Sequence, residues 1–172
     1  NDSKFSAADG SYRLSVGPAG NFWNIANVAK GDYSVKATFK EFKMTSSHPH
    51  SYGVFIGGAN LDSDTETLMY CIVYGNGTYS VKTFHGATVT TLVDRATNPA
   101  LHKAGDNGES TNEIGWDVKG GKASCVVNGT AVKTFEKSEV VAPDKLASLD
   151  GVYGIRVSHN LELAVSELKA GK

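Results

Sequence analysis

Three short constellations in the sequence hold residue types that do chemistry. His48-Pro49-His50 sets two imidazoles at alternate positions. In an extended segment alternate side chains project together, and the intervening proline favours that form, so the pair suits a metal ion or acid–base work. A third metal ligand would have to come from His85, His102, His159 or a distant acid. The plainer reading is polar loop surface. Asn60-x-Asp62-x-Asp64-x-Glu66 alternates oxygen ligands loosely in the manner of a calcium loop, with Asp62 and Asp64 as the candidate ligands. It lacks the glycine that lets an EF-hand loop turn sharply, and a solvated acidic loop is the simpler account. Glu113 and Asp117 share a face of one candidate strand, yet stand roughly 13 Å apart along it. No glycine-rich phosphate loop follows a strand, and no motif places a serine nucleophile on a strained turn.

The elements that must position these groups read as strands. Tyr33, Val35, Ala37 and Phe39 alternate with Ser34, Lys36, Thr38 and Lys40, the period of a half-buried strand. Ile114, Trp116 and Val118 repeat the pattern, as do Leu161, Leu163 and Val165. Further strands are expected at 12–16, 52–57, 67–74, 79–85, 87–93, 122–127, 131–135 and 152–157. Asn76-Gly77 and Asn128-Gly129 each separate two such runs, the sequence signature of a hairpin closed by a type I′ turn. Lys82 follows its Asn-Gly turn one residue later than Lys133 follows its own, so the two lysines occupy opposite sides of their strands. About a dozen strands, each with one apolar face, must stack as two antiparallel sheets or close into a barrel. A β-sandwich is the expectation. The stretches 43–51, 59–66, 95–111 and 136–150 read as loops, the last with a short helical turn around 143–149. Loops of that length in a compact β domain are where function tends to sit.

Composition bounds the partners. A chain of 172 residues is one domain, spanning 1–172, and can bury a core without staples. A formal net charge of −1 gives no electrostatic case for nucleic acid or for an anionic membrane surface. No apolar run approaches the length of a bilayer span. The two cysteines, Cys71 and Cys125, each lie inside an apolar run. They read either as an inter-strand or inter-sheet disulfide, should the chain be exported, or as two buried thiols acting as small hydrophobes.

A resemblance runs over most of the chain from residue 21 onward. It is carried by Gly31-Asp32-Tyr33-Ser34-Val35, and by His48-Pro49 leading to Tyr52-Gly53-Val54-Phe55-Ile56-Gly57-Gly58. It continues through Tyr70 to Gly77-Thr78 and Val81-Lys82, Thr111-Asn112-Glu113-Ile114, Val127-Asn128-Gly129, and Asp150-Gly151 to Gly154-Ile155-Arg156-Val157. These segments resemble the concanavalin A-like lectin/glucanase superfamily, and more narrowly its bacterial exported domains related to sugar-hydrolase-associated modules. The resemblance implies an all-β, two-sheet antiparallel jelly roll, extracellular or periplasmic, as the start at Asn1 rather than Met also suggests. It further implies a carbohydrate or glycan-like ligand, with flanking domains of a longer chain as further partners and calcium as a structural ion.

Sugar binding needs rings to stack on pyranose faces and planar polar groups to bond hydroxyls. The candidates are Arg156, Tyr52, His48, His50, Asn112, Lys82, Tyr70 and His159, with Trp23, Tyr74 and Asn160 behind them. Arg156 alternates with Tyr153, Ile155 and Val157 and therefore points away from the face that they bury. Trp116 and Trp23 read as core. Superfamily glucanases carry paired carboxylates in a Glu-x-Asp-x-x-Glu arrangement, and this chain lacks it. A non-catalytic binding module is the reading. The alternatives are a hydrolase of the keto-disaccharide-hydrolase kind, taking its acid or base from His48, His50, Glu113 or His159, and a plain protein-interaction domain.

Overall fold

The computed structural model describes residues 3–8, 10–44 and 47–172. Among them thirteen strands, numbered in chain order, form two antiparallel sheets packed face to face. The first sheet has seven strands in the order β1 (Lys4–Ala8), β2 (Ser11–Val16), β13 (Leu161–Gly171), β4 (Tyr33–Glu41), β9 (Ser110–Lys119), β10 (Lys122–Val127) and β11 (Thr130–Glu136). The second has six, ordered β3 (Gly20–Ala29), β12 (Gly151–Val157), β5 (Ser51–Ala59), β6 (Thr67–Tyr74), β7 (Thr78–His85) and β8 (Thr88–Thr97). The architecture is the all-β jelly-roll sandwich that the alternating patterns demand.

Alternation decides what faces inward. Along β4 every second residue is buried, placing Val35, Ala37 and Phe39 between the sheets. Trp116 of β9 meets them there, and its indole N–H donates to the Val54 carbonyl of the opposite sheet at 3.0 Å. Cys71 on β6 and Cys125 on β10 form a disulfide that ties one sheet to the other, with Cα atoms 6.0 Å apart. That separation lies within the ordinary range for a disulfide, and it settles the alternatives left open by the sequence.

Four sequence expectations are corrected. The Asn128-Gly129 turn has positive φ at both residues, 50° and 79°, as a type I′ turn requires. The Asn76-Gly77 turn does not, because only Gly77 is left-handed, at 82°. Tyr74 pairs with Thr78, so three residues make that loop, and the Gly77 N–H donates to the Tyr74 carbonyl. Next, β8 runs to Thr97, into a stretch that polarity assigned to a loop, while β1 and β3 carry too weak an alternation to be read as strands. The helical turn lies at α1 (Lys137–Val140), ahead of Pro143 rather than after it. Finally, not every strand has just one apolar face. All eight residues of β6 are buried. Phe55, Leu68, Tyr70, Ile72 and Tyr74 form a second apolar cluster on the outer side of the six-stranded sheet, with Trp23, Leu61 and Phe84 packed against it.

Candidate functional site

The outer cluster is the floor of the candidate site, and register assigns what stands on it. Arg156 is paired with Asn21 on one side and Gly53 on the other. Gly53 is paired with Ile72, and Ile72 with Ser80. One row over, Trp23, Gly154, Phe55, Tyr70, Lys82 and Thr91 lie in line. Two residues the other way Ser51, Tyr74, Thr78 and Thr97 lie in line. At Gly53, beside Arg156 in register, a Cβ would run into the Cys71 carbonyl. Close approach of β5 to β6 therefore requires glycine.

Two guanidinium groups sit on this floor. The Arg156 guanidinium lies 5.7 Å from the Tyr70 ring centroid and donates from Nη1 to Asn21 Oδ1 at 3.2 Å. Arg95 lies 4.3 Å above the Tyr74 ring. Its place comes from an irregularity in β8: the register shifts between the Tyr79–Ala96 and Val81–Val93 pairs, leaving Asp94 and Arg95 opposite Ser80. Arg95 takes φ 45° there, and its N–H donates to Ser80 Oγ at 3.0 Å. A bulge of this kind re-aims a side chain that a regular strand would have directed elsewhere. Four strand spacings separate the backbones of Arg156 and Arg95, roughly 19 Å. Both guanidinium groups nonetheless lean over β6, above tyrosines four residues apart on that strand, roughly 13 Å. Tyr70 and Tyr74 are mostly buried beneath them, and burial, with Tyr74 adding to it against Arg156, holds the Tyr70 hydroxyl above its usual pKa.

Histidines gather at the Tyr74 end. His50 precedes β5, His159 follows β12, and their rings meet edge to face at 4.2 Å. Partial burial, followed by the positive charge of His159, His48 and Arg95, pushes His50 below the usual imidazole range. His48 and His159 are exposed, and Lys82 is half-buried at the opposite end beside Tyr70. Thus Arg156, Tyr70, Lys82, His48, His50 and His159 do come together on one side of the molecule.

Two other candidates are corrected. Tyr52 points inward against Phe39, fully buried, because it alternates with Gly53 on β5. Its hydroxyl is 3.2 Å from Ser110 Oγ, and burial together with the nearby Glu41 pushes its pKa up to about 12. Asn112 is equally buried. Its Oδ1 accepts from the His102 N–H at 2.9 Å and from Asn128 Nδ2 at 2.8 Å, and its Nδ2 donates to the His102 carbonyl. It latches a loop and does not reach the surface. Asn160 occupies the exposed turn between β12 and β13 with φ 55°. Trp23 is half-buried, not core, and borders a cleft of about 360 Å³ together with Ile25, Asn60, Leu61, Asp62 and Val152.

Asp62 and Asp64 are exposed in the turn between β5 and β6. Hydrogen bonds of Ser63 to the Asn60 carbonyl shape that turn, and no group of three or more metal-ligating His, Cys, Asp or Glu side chains occurs among the described residues. Arg95 and Asn21 escaped the sequence reading, and Trp23, named there both as a ring for sugar and as core, is half-buried. For Arg95 the signal was weak, since nothing local announces a bulge. For Trp23 the apolar pair Phe22-Trp23 is followed by Asn24 and Asn27, which break the alternation.

The fold agrees with known proteins. The chain has the concanavalin A-like, galectin-like jelly-roll fold. It is similar to a Bacillus subtilis protein of unknown function with a galectin-like fold, at 13% identity and TM-score 0.67, over 98% of this chain and 85% of that one. It also resembles the carbohydrate-binding module CBM66 from Bacillus subtilis, at 8% identity and TM-score 0.58, over 99% and 92%. An endo-β-1,3-glucanase from Pyrococcus furiosus matches at 15% identity and TM-score 0.55, over 92% and 65%. Proteins of this fold thus include both carbohydrate binders and glycoside hydrolases. No protein-family model and no curated protein matches the sequence.

Proposed function

We propose that this domain is a non-catalytic carbohydrate-binding module whose ligand lies on the outer face of the six-stranded sheet. The observation that carries the reading is the composition of that face. It offers two guanidinium groups, an imidazole pair and a half-exposed indole above a preformed apolar floor. Hydrolysis of a glycosidic bond needs two carboxylates flanking it, about 5–9.5 Å apart. The six strands contain a single carboxylate, Asp94. The acid with a strongly raised pKa, Glu41, is sealed in the core away from this face. Both facts favour binding over cleavage. The inter-sheet disulfide supports an oxidising location outside the cytoplasm, extracellular or periplasmic.

Affinity electrophoresis across a glycan panel tests the proposal, followed by assay of each mixture for released reducing sugar. Retardation by a glycan without release, abolished in Arg156→Ala, is the expected result. Release of reducing ends would replace the module with a hydrolase. Absence of both retardation and release across the panel would leave a protein-interaction domain.

A further inference from the structure

Resting on the carbohydrate-binding reading, we infer that the glycan is acidic, its carboxylate or sulfate groups held by Arg156 and Arg95. The first argument is the distribution of charge. The ion pairs among the described residues are Lys36–Glu113, Lys40–Glu109 and Lys122–Glu136, and all lie on or beside the seven-stranded sheet. That sheet neutralises its surface charges across strands. The six-stranded sheet carries Lys82, Arg95 and Arg156 against Asp94 alone, and among the described residues no ion pair there joins a cation to a carboxylate. A chain of net charge −1 has therefore collected unpaired cations on one face. Unpaired cations there raise the local concentration of an anionic ligand and bond its oxygens with charge assistance.

The second argument is how the two arginines are held. A neutral pyranose is usually gripped by an open ring, but Tyr70 and Tyr74 are only 5% and 7% exposed, with a guanidinium over each. Stacking fixes the plane of a guanidinium and leaves its N–H fork unspent. Arg156 uses one donor on Asn21, out of five. What the face presents to a ligand in its middle is thus two cationic forks, Arg95 stacked on Tyr74 and Arg156 held by Asn21 above Tyr70, a geometry that suits carboxylate or sulfate oxygens. The rings beneath them stand four residues apart on β6, roughly 13 Å, a spacing that suits an oligosaccharide bearing repeated acidic groups rather than a single sugar. The acidic turn at Asp62 and Asp64 closes the far end, beyond Trp23. It repels anions, so the uncharged part of the ligand belongs at Trp23 and its acidic groups at the arginines.

Gel retardation with matched polymers tests this. Polygalacturonate is set against its fully methyl-esterified form, and dextran sulfate against dextran, with wild type, Arg156→Ala, Arg95→Ala, Arg156→Lys and, as a charge-matched control on the other sheet, Lys133→Ala. Thermal unfolding of every variant shows whether it is folded. Retardation by an acidic polymer and not by its neutral partner, weakened about tenfold or more in either arginine-to-alanine variant and little in Lys133→Ala, is the expected outcome. The polymer that works tells carboxylate from sulfate. Arg156→Lys keeps the charge but not the fork, and should recover only part of the loss. Equal binding of neutral and acidic polymers overturns the inference and leaves the binding-module reading intact. An equal loss in Lys133→Ala marks mere polyanion attraction and overturns it too. Failure with every glycan removes both.

Discussion

Glu41 occupies a place on β4 that the alternation of the strand reserves for apolar side chains, and it is 1% exposed. One of its oxygens, Oε1, has no hydrogen-bond partner, while Oε2 accepts from Ser110 Oγ at 3.5 Å. Burial outweighs the bonds to Ser110 and Tyr52 and raises its pKa from 4.5 to about 7. The folded protein therefore holds this proton where the unfolded chain has released it. The stabilising contribution is complete below the unfolded value and disappears as pH rises through the folded one. The shift corresponds to about 3 kcal/mol. Glu41→Gln should unfold at a higher temperature than wild type at about pH 8 and near the same temperature at about pH 4. The same offset at both pH values would contradict the buried acid. On the outer face, at the Tyr74 end, burial first and then the positive charge of His159, His48 and Arg95 oppose protonation of His50. A bound anion reverses that balance. Retention of an acidic glycan should thus strengthen between about pH 8 and about pH 5.5, less so in His50→Ala. A flat profile in wild type would separate the histidines from the ligand.

At the scale of elements, the β10–β11 turn does more than reverse the chain. Asn128 accepts the Glu113 N–H at 2.8 Å and donates to the Ala100 carbonyl at 2.7 Å and to Asn112 at 2.8 Å. A residue chosen for its left-handed backbone thereby pins the loop that follows β8 onto β9. Asn128→Ala loses the three bonds and strains the turn, a cost of about 3 kcal/mol. Urea unfolding should show it, and protease should cut preferentially within 98–109. A change below about 0.5 kcal/mol would show that the latch is idle. The same element view explains Arg95. The bulge in β8 supplies one of the two guanidinium groups, so straightening that strand would remove the group without altering its residue.

Across the whole molecule, the Cys71–Cys125 link closes a separation of 54 residues between the two sheets. Chain-entropy arguments give such a loop about 4 kcal/mol of stabilisation. The Cys71→Ala/Cys125→Ala double variant should lose about that much in chemical unfolding, and reductant should bring wild type to the same stability. Wild type unmoved by reductant under denaturing conditions would speak against the bridge.

Strand periodicity, the Asn-Gly turns and the apolar alternation in β4, β9 and β12 were legible in the sequence, because these depend on residues adjacent along the chain. Hence the two-sheet architecture, the inward Trp116 and the outward Arg156 followed directly. The sequence could not say that β6 would be covered on both faces, since an unbroken apolar run has no phase. Asn112 shares the phase of Ile114 and Trp116, and Tyr52 that of Val54 and Ile56, so their inward turn lay within reach of alternation. The cover on β6 and the outward turn of Arg95 did not. Those choices rest on register between strands far apart in sequence and on one bulge, which only the packed sheets define. The disulfide belongs with them: two cysteines offer one pairing, but only the distance between sheets makes it close. The cationic face is likewise tertiary, since a net charge of −1 conceals it until the strands that hold Arg95 and Arg156 are brought into one sheet.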